Sequence, residues 1–278
     1  MNAPKILGIL NITEDSFSDG GKFLSGDAAL AHGRKLVADG ADIIDIGPSA
    51  SNPDAIPVSP AEEIRRLALV MPDMIAAGAR VSVDSFQGET QIWALQNGAA
   101  YINDIHGFPD ASIYPALVAS PAMLIAMHAI QKEGVATREK GDPATIWDRI
   151  LSFFALRLKA LEVAGIARER MILDPGMGLF LGAGREVSLK VLREISRLKS
   201  EFGLPVLISV SRKSFLRALA GGRTPEEAGP VTLAAELFAA AQGVDYIRTH
   251  DVRALKDALA VAGALQRMRP DEGPRFNN

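Results

Sequence analysis

Short apolar runs ending in a polar residue recur along the whole chain, and between them lie stretches with helical spacing that close on a glycine. Leu204 to Ser214, LPVLISVSRKS, shows the unit. A mostly apolar, partly β-branched run is entered through a proline and left through Ser211, Arg212 and Lys213. An inner parallel strand, buried on both faces, ends at a site in this way. The same pattern predicts eight strands: Ile6–Leu10, Ile43–Ile46, Val81–Val83, Tyr101–Ile102, Met123–Met127, Met171–Leu173, Val206–Val210 and Tyr246–Ile247. Gly40, Gly78, Gly98, Gly165, Gly203 and Gly243 each stand where a helix would stop before the next strand.

The helical signals between the strands are specific. Ser59-Pro60-Ala61-Glu62 is a capping box with proline at the first helical position, where its missing N–H costs nothing. Trp147, Ile150, Leu151, Phe154, Leu158 and Leu161 form one apolar stripe, and Val187, Val191, Ile195, Leu198 and Phe202 form another. Pro72 should kink or end the second helix. Pro270 to Asn278 carry charge, proline and glycine without periodicity, which predicts a frayed tail.

Alternating β and α units predict an α/β protein, a single (β/α)₈ TIM barrel over residues 1–269, with 270–278 as the tail. Length alone would allow two domains, but a barrel of this kind takes this many residues as one. In a barrel all the carboxyl ends of the strands meet on one face. Here they are Asn11, Asp45, Asp84, Asn103 with Asp104, His128, Asp174, Ser211 to Lys213, and Arg248 with His250. A single pocket lined by these residues is the expected active site.

Composition narrows the partners. Thirty basic and 33 acidic residues leave a net charge of −3, without the basic footprint that nucleic acid or a membrane surface requires. With no cysteine there is no disulfide, thiolate nucleophile or cysteine metal site, as suits a reducing compartment. The first residues, MNAPKILGILNIT, are too short in apolar length for a signal peptide, so a cytoplasmic protein is expected.

Each strand-end residue also has a structural reading. Asp45 is as readily a turn or cap residue as a pocket residue. His32 lies mid-helix and reads as surface, His106 sits in a loop and reads the same, and His128 reads slightly better as a satisfied core histidine. Arg212 alone would need no more than a neighbouring acid. The set is chemically asymmetric, however. Asp84, Asn103 and Asp174 suit a flat hydrogen-bonding heterocycle, whereas Lys213, Arg248 and His250 bring cationic donors for an oxyanion or phosphate. The polar loop from Asn11 to Phe23 is expected to be mobile and to close over the pocket.

In order along the chain, ILNITEDSFSDGG, VSVDSF, INDI, LDPGMG, ISVSRKSFL and IRTHDV resemble the strand-end motifs of dihydropteroate synthases over nearly the whole length. The resemblance implies condensation of 4-aminobenzoate with 6-hydroxymethyl-7,8-dihydropterin diphosphate to 7,8-dihydropteroate, with Mg²⁺ as cofactor. A homodimer built through helices near the C-terminus is implied as well. Asp84, Asn103, Asp174 and Lys213 match the family's pterin-binding positions, with Arg248 against the ring. Asn11, Ser51, Asn52, Arg248 and His250 fall at its diphosphate positions, Asn11 also as metal ligand. Phe17, Pro53, Phe180, Ser211 and Lys213 fall around its aminobenzoate. Of these, Asp84, Asp174, Lys213, Arg248 and His250 are the implied catalytic set.

The chain also departs from that family. GPSASNPDA stands where most members carry a sequence like GGESTRPGA, so Ser51 replaces a threonine and Asn52 an arginine that helps hold diphosphate. Leu179-Phe180-Leu181 after DPGMG, Glu14 in place of a proline, and GFPD at Gly107 to Asp110 resemble the acquired sulfonamide-insensitive branch. Three other readings stay open at this point. They are a Schiff-base barrel enzyme using Lys213, a pterin-binding methyltransferase half, and a relative that binds pterin without turnover.

Overall fold

The strand positions alternate between two environments, and that alternation builds the barrel. The computed structural model describes residues 3–13, 26–131 and 133–267. Its strands are β1 (Lys5–Asn11), β2 (Ile43–Gly47), β3 (Val81–Asp84), β4 (Tyr101–Asp104), β5 (Met123–Met127), β6 (Met171–Asp174), β7 (Leu207–Ile208) and β8 (Tyr246–Thr249). All pair in parallel, in the order β6-β5-β4-β3-β2-β1-β8-β7. A single bridge between Leu173 and Val206, with Leu173 N–H donating to Pro205 O at 2.9 Å, closes β6 onto the last pair.

One residue from almost every strand packs inside: Leu7, Ile43, Tyr101, Ile125, Ile172, Leu207 and Tyr246 form their own buried cluster. Their neighbours of opposite parity, such as Ile6, Ile44, Ile102, Leu124, Leu173, Ile208 and Ile247, join the larger core between sheet and helices. Successive side chains on a strand point to opposite faces. Both faces are therefore apolar, and a filled interior with a helical jacket follows.

The helices are α1 (Gly26–Ala38), α2 (Pro60–Ala68), α3 (Met71–Ala76), α4 (Gly88–Gln96), α5 (Tyr114–Ala119), α6 (Ile146–Val163), α7 (Arg185–Arg193), α8 (Ser196–Phe202), α9 (Ser214–Leu219), α10 (Gly229–Ala241) and α11 (Val252–Arg267). The serine half of the expected capping box forms: Ser59 Oγ accepts from Glu62 N–H at 3.3 Å, with Pro60 beginning α2, while the Glu62 carboxylate accepts from Arg65 and Arg66 instead of the cap. The chain breaks after Ala68 and restarts as α3 with Pro72 in its first turn. All six closing glycines adopt left-handed conformations. The Trp147 stripe is buried along α6 except for Leu151, which is partly buried against the same core.

Two expectations about element length need correction. The stripe from Val187 to Phe202 belongs to two helices, because α7 ends at Arg193, where Glu194 N–H bonds both Lys190 O and Val191 O. Val187, Val191, Ile195 and Leu198 nevertheless stay in one core, so the break preserves the stripe. The strand expected over Val206–Val210 is regular only at Leu207 and Ile208, with Val206 ahead of it in the bridge to Leu173, and the chain then turns toward Lys213. Phe17, Glu14, most of the early loop and the expected tail lie outside the described residues. Among the described residues, no helix is long and apolar enough to cross a membrane.

Candidate active site

At four strand exits the polar residue has the same parity as the apolar residue two positions earlier that fills the barrel. Ile43 leads to Asp45, Tyr101 to Asn103, Ile172 to Asp174 and Tyr246 to Arg248. The pleat therefore aims these side chains into the mouth of the barrel. Arg248 lies at the centre. Its Nε donates to Asp45 Oδ2 at 2.5 Å and its Nη2 to Asp84 Oδ2 at 2.8 Å, spanning β8, β2 and β3. Asn103 lies beside Asp84 in register. Asp45 Oδ1 and Asn103 Oδ1 are buried without a partner among the described residues, the condition of acceptors that await a ligand.

The electrostatics follow from burial. Burial raises the Asp84 carboxyl to about 7, with Arg248 pulling it down and Asp45 pushing it up. Burial also raises Asp174 to about 6, although Gly176 N–H donates to its Oδ1 at 2.8 Å. Lys213 is lowered to about 8 by burial and by Arg248, against the pull of Asp174 and Asp84. Burial works against the Arg248 charge, but Asp45, Asp84 and Asp174 outweigh it and raise its pKa further. The cluster thus holds weakly committed carboxyls around one permanent cation.

Lys213 reaches the site through an unusual turn. Arg212, ahead of it, is left-handed at φ 58°, and its N–H is held by Thr232 Oγ1 at 3.0 Å. A non-glycine residue there is strained by roughly 1 kcal/mol. The turn makes Lys213 the N-cap of α9 and sets its Nζ 5.2 Å from the centre of the Phe180 ring. Next to it, Ser211 Oγ accepts from His250 N–H at 3.2 Å and lies 2.9 Å from His250 Nδ1. The Ser211 hydroxyl and His250 Nδ1 thus share one hydrogen bond whose direction follows the imidazole tautomer. Burial, Arg212, Arg248 and Lys213 lower His250 to about 3. The expectation of a cationic His250 is therefore corrected: burial in a field already positive keeps its imidazole neutral near pH 7.

The second loop sits differently from the cluster. Ser51 O accepts from Ala136 N–H at 3.1 Å, and Asn52 is exposed, its Oδ1 capping Asp54 N–H at 2.9 Å. Pro53 is half-buried, and Asp54 pairs with Arg138 at 2.6 Å. These contacts tie the loop to the segment between β5 and α6, which also carries Ile130 N–H to Phe180 O at 2.9 Å. Phe180, itself buried, lies between that segment and Lys213.

Of the histidines, His128 is buried, 3.1 Å from Pro175 O through Nδ1, and held by burial near 4, a core histidine as its structural reading has it. His106 is not surface: its ring is buried, with Nε2 2.7 Å from Gly134 O, because the loop folds inward behind Asp104. Asp45 is fully buried and accepts from Arg248, which is not the arrangement of a turn or cap residue. The signal that separates it from a turn former is its parity with Ile43.

Among the described residues no three His, Cys, Asp or Glu side chains gather as a metal cage. Asn11 ends β1 beside Gly47, where an added Cβ would come 3.0 Å from Asn11 Oδ1. One neutral oxygen there suits a Mg²⁺ that draws its remaining ligands from phosphates and water.

Comparison with known proteins agrees with this geometry. The model of the family described as pterin binding enzyme matches residues 7–250. Dihydropteroate synthase type-2 of Escherichia coli is 57% identical over 261 residues, 94% of this chain and 96% of the relative. The type-1 synthase of Escherichia coli is 46% identical over 265 residues, 95% of each chain. A Xanthomonas albilineans dihydropteroate synthase solved with 4-aminobenzoic acid superposes with a TM-score of 0.88 at 34% identity, covering 96% of this chain and 95% of that one. The same enzyme in complex with 7,8-dihydropteroate gives 0.83 over the same shares. The chain belongs to the pterin-binding enzyme family, among the dihydropteroate synthases.

Proposed function

We infer that this chain condenses 6-hydroxymethyl-7,8-dihydropterin diphosphate with 4-aminobenzoate to give 7,8-dihydropteroate and diphosphate. The observation that carries the reading is Arg248 fixed between Asp45 and Asp84, with Asp174 and Lys213 acting on the same groups, in a chain whose relatives bear that name. Asp84, Asn103, Asp174 and Lys213 bind the pterin, whose flat ring lies along Arg248. Unpartnered Asn103 Oδ1 supports that role. Asn11, Ser51, Asn52, Arg248 and His250 receive the diphosphate.

The reaction follows from charge. The C–O bond at the pterin CH₂ carbon breaks and its electron pair leaves with diphosphate, which Arg248 and the His250 N–H stabilise. Asn11 would hold a Mg²⁺, which would supply further charge neutralisation on the leaving group. The pterin cation that remains is stabilised by the Asp84 and Asp174 carboxylates. The amine nitrogen of 4-aminobenzoate then bonds to that carbon and passes one proton to water, which gives the neutral secondary amine. Phe17, Pro53, Phe180, Ser211 and Lys213 surround that substrate, and the contact of Lys213 with Phe180 supports a shared wall. No covalent nucleophile is required.

The test is diphosphate release from the pterin diphosphate with and without 4-aminobenzoate, with Lys213→Ala as control. Turnover that needs the amine and is lost with the lysine is expected. Tight pterin binding without turnover would instead make the chain a binder, and borohydride trapping of a carbonyl substrate on Lys213 would make it a Schiff-base enzyme.

We further propose that the enzyme is sulfonamide-insensitive and works in the cytoplasm. The buried Phe180 beside Lys213 supports the first, since rejection of a bulkier competitor needs only a clash. The cysteine-free composition supports the second. Sulfamethoxazole inhibiting at concentrations typical of a sensitive enzyme would overturn the insensitivity.

A further inference from the structure

A buried acid outside the strand-end cluster joins two walls of the pocket. Glu63, on α2, is 1% exposed. Its Oε1 accepts from Ser49 Oγ at 2.5 Å and its Oε2 from Ser85 Oγ at 2.6 Å. Ser49 lies two residues beyond the end of β2 and opens the segment that carries Ser51, Asn52 and Pro53. Ser85 immediately follows Asp84. The same helix grips the second loop once more, through Arg66 Nη1 donating to Pro48 O at 2.9 Å. Ser85 is fixed from its other side, where its Oγ accepts from Gln87 N–H at 3.1 Å and its carbonyl from Gln91 Nε2 at 2.7 Å.

Taking a carboxylate out of water is costly, and two hydroxyl bonds do little more than offset that cost. An apolar side chain of similar volume would hold α2 on the sheet as well. What the carboxylate adds is direction: each oxygen fixes one serine, and so fixes the exit of β2 relative to the exit of β3.

We propose that Glu63 is a positioning residue for the condensation, setting the second loop against Asp84 so that the amine meets the pterin carbon. The proposal rests on the synthase reading above. It also has an electrostatic side. Beyond burial, Asp84 faces Arg248 on β8 and Lys213 after β7, which stabilise its charge, and Asp45 on β2 and Glu63 on α2, which oppose it.

The test compares Glu63→Ala, Glu63→Gln and Ser49→Ala with the unsubstituted enzyme in steady-state kinetics for both substrates, in the pH profile of kcat/KM and in Tm. Glu63→Ala is expected to raise KM for 4-aminobenzoate at least about tenfold, as small misplacements near a reacting pair do. Ser49→Ala should raise it by a smaller factor. Glu63→Gln should restore most of the KM, since an amide can bond both hydroxyls, yet shift the acid limb to lower pH because Asp84 loses one opposing charge. Where Glu63→Ala does not fold, the other two variants decide. Unchanged KM and an unchanged acid limb in the variants, alongside normal turnover of the unsubstituted enzyme, would overturn this proposal alone. No dihydropteroate from the unsubstituted enzyme would overturn the reading beneath it and the proposal together.

Discussion

Asp174 is buried where its charge is costly. Its carboxyl is raised from the ordinary 3.8 to about 6, chiefly by burial. A carboxyl raised in this way favours the folded state below pH 3.8, and that contribution is lost as pH rises through about 6. Asp174→Asn should therefore stabilise the fold at pH 8 by up to about 3 kcal/mol, taking about 1.4 kcal/mol for each pH unit, and by roughly half of that at pH 5. The asparagine oxygen can still accept from Gly176 N–H. Melting temperatures at the two pH values check this, and activity should be lost in the same variant. The neighbouring groups set the rate profile. Asp84 near 7 and Asp174 near 6 must be ionised, while Lys213 near 8 must keep its proton. The free-enzyme profile of kcat/KM should rise through pH 6–7 and fall above about 8. Lys213→Arg should move the basic limb upward while lowering the maximum. Most of these residues were legible as strand-end polar groups. The neutral state of His250 was not, because it depends on Ser211, Arg212 and Lys213 converging on one ring. His106 was misread because its inward fold is set by contacts with a distant segment.

At the scale of elements, two loops interlock backbone to backbone above the sheet. Gly182, at φ 107°, would set an added Cβ 2.1 Å from Gly141 N, and a Cβ on Gly141 would lie 2.0 Å from Leu181 O. Ala183 N–H donates to Glu139 O at 2.6 Å beside that contact, and Ile130 N–H donates to Phe180 O. The segment between β5 and α6 is thereby pressed onto the turn that carries Phe180, and it also holds Ser51. Gly182→Ala adds a left-handed strain of about 1–3 kcal/mol and forces the loops apart. It should raise KM for 4-aminobenzoate about tenfold or more. Pterin affinity, measured calorimetrically, should change little, because the strand-end cluster keeps its own bonds. The eight strands and six closing glycines were legible because apolar runs and left-handed glycines are local signals. The interlock was not, since each glycine matters only for the backbone it meets from another loop. The break between α7 and α8 was hidden for a related reason: the apolar stripe runs on through it.

At the scale of the molecule, the helical jacket carries an apolar groove among its described residues. A groove of ≈ 580 Å³ runs between α7, α9 and α10, lined by Leu189, Leu192, Leu216, Leu219, Val231 and Phe238 among others. Leu219 is 49% and Phe238 42% exposed, an apolar rim rather than scattered side chains. We propose this groove as the face of the homodimer that the family resemblance implies. α10 also holds the Arg212 turn through Thr232, and α9 begins directly after Lys213, so a partner on this face would brace the lysine from behind. In a two-fold interface each residue acts twice. Exchanging one buried phenylalanine for a charge loses about 2 kcal/mol on each side, so Phe238→Asp should weaken self-association by about 4 kcal/mol, on the order of a thousandfold. Sedimentation over a micromolar concentration series is the check: the unsubstituted chain should run as a dimer and the variant as a monomer. A matched substitution on α11, Leu265→Asp, should leave the dimer intact even though Leu265 is 63% exposed, because it lies outside that groove. Dissociation by Leu265→Asp and not by Phe238→Asp would move the interface to the opposite side of α10, against α11.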